Sequence, residues 1–136
     1  MAHFLLKTEP TTYSFDDLLR DAETVWDGVT NNLALKNLRL MKAGDSCFIY
    51  HSGDKKEIVG IATVSRASYP DPKNNDSKLT VVNIKPTKKL RNPVQLSSLK
   101  GLKNLAQFDL IRLPRLSVMQ VADDIWNLIM KMSEEE

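Results

Sequence analysis

Apolar and polar residues along the chain fall into short runs whose spacing separates strands from helices. His3 to Lys7 is an apolar run that stops at Glu9-Pro10, where proline ends strand pairing and restricts the residue before it, so a first strand is predicted there. Ser14 is placed to cap a helix starting at Phe15 and ending near Asp21, with Asp16 and Asp17 favourable in its first turn. Between Asn31 and Met41, Ala34, Leu38 and Met41 fall at i, i+4 and i+7, and Gly44 follows as a stop signal, which predicts a second helix. Ser46 to His51, Ile58 to Val64 and Leu79 to Ile84 are β-rich, with Gly53-Asp54 as a tight connection, and predict a meander. In the first of these strands Phe48, Tyr50 and Ser52 share one face and Cys47, Ile49 and His51 the other, so one face is expected in the core and the other to line something else. Tyr69 to Lys78, rich in turn formers, reads as a loop between strands.

Leu96 to Leu105 is helix-like but broken by Gly101, so short pieces are expected. Ser117 to Val121 reads as a last strand. A final helix follows, with Asp123 and Asp124 suited to its N-terminus and Ile125, Leu128, Ile129 and Met132 as its apolar stripe; its last turn, at Glu134 to Glu136, is expected to fray. Strands mixed with helices at both ends and between predict an α+β domain around a small, partly closed sheet.

A chain of 136 residues is expected to form one domain over residues 1–136, with a core that needs no disulfide or metal staple. No apolar run approaches the ~18 residues of a membrane span, and the N-terminus meets Lys7 and Glu9 too early for a signal peptide. The single cysteine, Cys47, fits a reducing compartment, so a cytoplasmic location is expected, or a nuclear one in a eukaryote. Charge changes the picture only when divided along the chain. Residues 36–115 carry sixteen Lys and Arg against six Asp and Glu, whereas residues 1–35 hold two against six and residues 116–136 one against five. A basic middle suggests a polyanionic partner, although scattered lysines are also ordinary solvated surface. On the second helix Lys36, Arg39 and Lys42 fall within about 120° of one another. With Lys88, Lys89 and Arg91 they are the candidate phosphate contacts.

Chemistry narrows the picture further. Cys47 and His51 lie about 13 Å apart along a strand, too far for one metal ion or for a nucleophile and its base, and no zinc spacing occurs elsewhere. Cys47 is expected to be a small buried hydrophobe. The glycines form neither a P-loop nor a dinucleotide fingerprint, so no cofactor is expected. Carboxylate pairs occur only where helix capping explains them, so no catalytic residue is assigned. What remains are polar and aromatic residues at element ends, around Lys7 to Pro10, Trp26 to Asn31, Tyr50 to Ser52 and Arg115 to Ser117. Trp26 and Tyr50 suit stacking on a planar base, and Asn31 and Ser52 suit hydrogen bonds to its edge. Taken singly, Trp26 also reads as core, Asn31 as a helix cap and His51 as a satisfied structural group.

At these segments the sequence resembles the EVE domain, a family of the PUA-like superfamily. The matching motifs are Leu5-Leu6-Lys7-Thr8-Glu9-Pro10, Trp26 to Asn31, Phe48-Ile49-Tyr50-His51-Ser52, Ile58-Val59-Gly60-Ile61, Ala67-Ser68-Tyr69-Pro70-Asp71 and Arg115-Leu116-Ser117-Val118, in order and over nearly the whole chain. The resemblance implies a PUA-like β-barrel flanked by helices, related to the YTH readers of methylated adenine, with a pocket for a modified base of DNA or RNA. Trp26, Asn31, Tyr50, His51 and Ser52 would line that pocket, with Lys7, Glu9, Arg115 and Ser117 at its margin. Three departures stand out: Thr30 where the family usually has Arg, Asn32-Leu33 for Tyr-Gln, and Met119-Gln120 for Gln-Pro. The expected function is a non-enzymatic nucleic-acid-binding module. The alternatives are an enzyme acting on a modified base or nucleotide, with Glu9 or His51 as acid or base, and a protein-interaction module whose pocket has decayed.

Overall fold

A computed structural model describes residues 1–74 and 76–134. Six strands form one sheet: β1 (His3–Thr8), β2 (Thr24–Trp26), β3 (Ser46–His51), β4 (Glu57–Pro70), β5 (Thr80–Gln95) and β6 (Val118–Gln120). Their order is β2-β5-β4-β3-β1-β6; β1 and β3 are parallel and every other pair is antiparallel. The sheet curls into a half-barrel with helices against it, an α+β arrangement of the PUA-like kind. The helices are α1 (Phe15–Asp21), α2 (Asn32–Leu40), α3 (Leu96–Lys100), α4 (Asp109–Arg112) and α5 (Asp123–Glu134), with a single 3-10 turn at Lys103–Leu105. No helix among the described residues is long and apolar enough to cross a membrane.

The curl has a local cause. The long strands β4 and β5 pair with register shifts at four places, and each bulge bends the ladder and increases its twist. These strands also extend well beyond the runs predicted from β-rich residues: β4 continues to Pro70 and β5 to Gln95. Pro86, Pro93 and the intervening cations disguise β5 in the sequence, yet the ladder bulges enough to accommodate them. The loop predicted from Tyr69 shrinks to residues 71–79, closed by the Asp71 N–H donating to the Leu79 carbonyl at 3.1 Å; Asn75 lies outside the described residues.

β3 corrects a second expectation. Cys47, Phe48, Ile49 and Tyr50 are all buried, because both faces of this interior strand are covered. Trp126 of α5 stacks on Phe48 on one face. On the other, α1 sets the Phe15 ring directly over Gly60, the cross-strand partner of Ile49. A Cβ at Gly60 would lie 2.5 Å from that ring, so only glycine permits the approach. Cys47 is fully buried as expected, and burial pushes its thiol pKa far up.

The helix signals fared well where a cap was explicit. Ser14 and Asp17 form a reciprocal capping box on α1, and Asn31 caps α2 by accepting from the Ala34 N–H at 3.0 Å. The stripe of α5 is rotated from the prediction, with Trp126, Ile129 and Ser133 most buried and Ile125, Leu128 and Met132 only partly so. The helix continues to Glu134, and Glu135 and Glu136 lie outside the described residues.

Candidate nucleic-acid interface

The sheet order begins with β2 and ends with β6, and a cleft lies between β2 on one side and, on the other, the end of β1 with the segment that leads into β6. It measures about 610 Å³. One wall is Lys7, Thr8 and Glu9 at the end of β1, with Arg115 and Ser117 leading into β6; the other is β2 and its connection through Asp27, Gly28, Val29 and Thr30 to Asn31. Thr12 and Tyr13, from the turn before α1, complete the lining. A sheet that stops short of closure leaves strand edges with unpaired polar groups, and the lining here adds the hydroxyls of Thr8, Thr12, Tyr13, Thr24, Thr30 and Ser117.

Hydrogen bonds and ring contacts fix both walls. The Lys7 N–H donates to the Ser117 carbonyl at 2.9 Å and Lys7 Nζ to the Pro114 carbonyl at 2.8 Å, which ties β1 to the segment carrying Arg115. Lys7 is half-buried, and loss of hydration lowers its pKa. Glu9 Oε1 accepts from the Thr11 N–H and hydroxyl, both at 3.0 Å, and so shapes the turn that delivers Tyr13. The Tyr13 ring meets Trp26 edge-on, with centroids 6.2 Å apart and planes at 81°. The Tyr13 hydroxyl donates to Asp21 Oδ2 at 2.9 Å, and burial is the main reason its pKa is raised. Gly28 turns the chain between β2 and α2 at φ +79°, a left-handed conformation that favours glycine.

Of the residues expected to line a pocket, Trp26 and Asn31 do so, together with all four expected at its margin: Lys7, Glu9, Arg115 and Ser117. Tyr50, His51 and Ser52 lie outside the lining. Tyr50 is the register partner of Lys7 and sits behind it, with Lys7 Nζ 5.6 Å from its ring centroid; burial raises its phenol pKa. Ser52 donates to the Thr8 carbonyl from both its N–H (2.9 Å) and its hydroxyl (3.3 Å), pinning the end of β1. His51 Nε2 accepts the Phe15 N–H at 3.0 Å, and burial lowers the imidazole pKa. Sequence reasoning missed Thr12, Tyr13, Thr24 and Val25. The one available signal was an aromatic directly before the Ser14 cap.

None of the six cations expected to meet phosphate lines the cleft. Lys36, Arg39 and Lys42 are exposed, the first two on α2 and Lys42 just beyond it, and Arg39 donates to the Lys78 carbonyl. Lys88 pairs with Glu134 at 3.4 Å and Lys89 with Asp16 at 3.3 Å; Arg91 is exposed on the same strand. Of the three departures, only Thr30 lines the cleft. Met119 is fully buried opposite Leu5, a core role that explains an apolar residue there.

The sequence profile of the EVE domain matches residues 2–132. The chain belongs to the EVE domain family. Human thymocyte nuclear protein 1 is 27% identical, over 99% of this chain and 75% of its own length. The NMR structure of Rpa0253 from Rhodopseudomonas palustris superposes with a TM-score of 0.93 at 38% identity, covering 100% of this chain and 97% of that one. Human THYN1 in complex with 5-methylcytosine-containing DNA superposes with a TM-score of 0.91 at 25% identity, covering 100% and 99%.

Proposed function

We propose that the cleft receives one modified base of a nucleic-acid strand and that this EVE domain is a non-enzymatic reader of that base. One observation carries the reading: a structural relative matching over the whole chain, human THYN1, is seen in complex with 5-methylcytosine-containing DNA. The cleft here has suitable chemistry. Its volume falls within the ~300–1,000 Å³ of small-molecule sites. Trp26 offers a stacking surface, and Asn31, whose Oδ1 is committed to its helix, keeps Nδ2 for a base edge. The hydroxyls of Thr12, Thr30 and Ser117 add donors and acceptors, while Lys7 and Arg115 supply positive charge at the rim. Tyr50, His51 and Ser52 act from behind, by positioning Lys7, Phe15 and Thr8. Lys36, Arg39 and Lys42 are available for flanking phosphates.

Binding is favoured over turnover because the two residues suited to acid–base chemistry are separated in role. Glu9 lines the cleft, whereas His51 lies outside it with Nε2 engaged by main chain. The test is a titration of two duplexes, identical except for one 5-methylcytosine. Trp26→Ala is expected to cost about 1–3 kcal/mol for the modified duplex, the scale of base–aromatic stacking. Lys36→Ala is expected to weaken both duplexes alike, since a phosphate contact carries no base information. A folded Trp26→Ala protein that keeps the parent's preference for the modified duplex overturns the proposal.

A further inference from the structure

A second hollow, of about 360 Å³, opens beside the turn joining β3 to β4. Its lining includes Lys55, Lys56 and Lys100, with the polar Gln95 and Ser97 and one acid, Asp54. All three lysines are exposed, and none makes an ion pair among the described residues. That separates them from Lys73, Lys88 and Lys89, each of which faces a carboxylate.

The hollow is built rather than incidental. The Lys56 carbonyl accepts the Leu96 N–H at 2.8 Å, which fastens the turn to the start of α3 and brings Lys100, on that helix, to the same hollow. Lys56 itself has φ +50°, a backbone that glycine would adopt without strain, yet a long cation occupies it. The turn that lines this hollow also reaches the wall of the cleft. A Cβ on Gly53 would lie 2.5 Å from Glu9 Oε2, so the turn rests against a residue of the cleft wall, and Asp54, the next residue, already lines the hollow.

We infer that the nucleic-acid strand whose base enters the cleft runs past Glu9 and the Gly53 turn, with Lys55, Lys56 and Lys100 contacting its phosphates. This rests on the reading of the cleft as a base site and assigns the path of the flanking backbone. Lysines acting through counterion release contribute affinity without base selectivity, and each phosphate contact adds about one unit to the slope of log affinity against log salt.

The test measures affinity over a salt series for the full chain, with the methylated duplex and its unmodified counterpart. The triple variant Lys55→Ala, Lys56→Gly, Lys100→Ala is expected to flatten the salt slope by about 2 to 3 units and to weaken both duplexes by the same factor, leaving their ratio unchanged. Lys56→Gly alone is expected to flatten it by about 1 unit while its melting temperature is unchanged or higher, because the strained backbone is relieved. Misfolding therefore cannot imitate the result. A parent that binds, with both variants keeping its salt slope, overturns this inference and leaves the base site standing. A parent that binds neither duplex overturns the base site, and the path with it.

Discussion

Two tryptophans are exposed to the same degree, 8% each, and sit in opposite surroundings. Trp126, in the first turns of α5, lies parallel to Phe48 with centroids 3.7 Å apart and to His3 at 4.2 Å. Two parallel rings that close to one centroid cannot share a side, so both faces of this indole are covered. Trp26 lies in a three-residue edge strand paired only with β5, and its ring neighbour Tyr13 meets it edge-on rather than face to face. Burial alone does not separate an aromatic packed on both faces from one that borders a cleft. What separates them is whether a ring face is left for a ligand and whether the residue faces a cleft.

The sharpest way to break this contrast is to remove each ring in turn. Trp126→Ala empties the centre of a three-ring stack and is expected to cost about 3–5 kcal/mol of stability in a urea melt. The fraction that remains folded should still prefer the methylated duplex. Trp26→Ala should cost clearly less stability, since a short edge strand opens more easily than the interior of the sheet, and its main effect should fall on binding. Equal losses of stability in the two variants would make Trp26 a second core residue and dissolve the distinction.

The same contrast explains what could be seen in the sequence. Elements with an explicit terminus were legible: Ser14 and Asn31 announced α1 and α2, and β1, β3 and β6 emerged near their observed bounds. The far half of β5 was not, because Pro86 and Pro93 are read as breakers, and only the bulged pairing with β4 accommodates them. β2 was also missed, being too short to show alternation. The cleft was legible through its motifs at Lys7–Glu9, Trp26–Asn31 and Arg115–Ser117, but strand alternation could not say which face of β3 looked where. Tyr50 and His51 point to opposite sides of that strand, and both sides are packed. Tyr13 escaped notice because nothing in local sequence reveals that the turn at Glu9 will bring it to Trp26.

The smallest expected effect concerns the histidines that accompany the two tryptophans, and it sharpens the comparison through pH. His3 is stacked on Trp126, whereas His51 holds the start of α1, two residues beyond the Tyr13 that borders Trp26, by accepting the Phe15 N–H. That bond requires an unprotonated Nε2. Burial is the largest influence on His51 and lowers its pKa, with Lys89 acting in the same direction and the carboxylates of Glu57, Asp16 and Glu9 opposing. A lowered value in the folded state means the unfolded chain binds this proton more tightly. The stabilisation is therefore complete above the unfolded pKa of about 6.5 and is lost as pH falls through the lower folded value. His51→Phe keeps a ring but no acceptor, and is expected to cost about 0.5–1.5 kcal/mol at pH 8, the net worth of one hydrogen bond. The gap between parent and variant should narrow as pH falls from 8 to 5. The methylated duplex should lose affinity for the parent over the same interval, because a loosened α1 start releases Tyr13 from Trp26. Parent and variant melts that stay parallel across this range would show that His51 does not couple proton binding to the cleft wall.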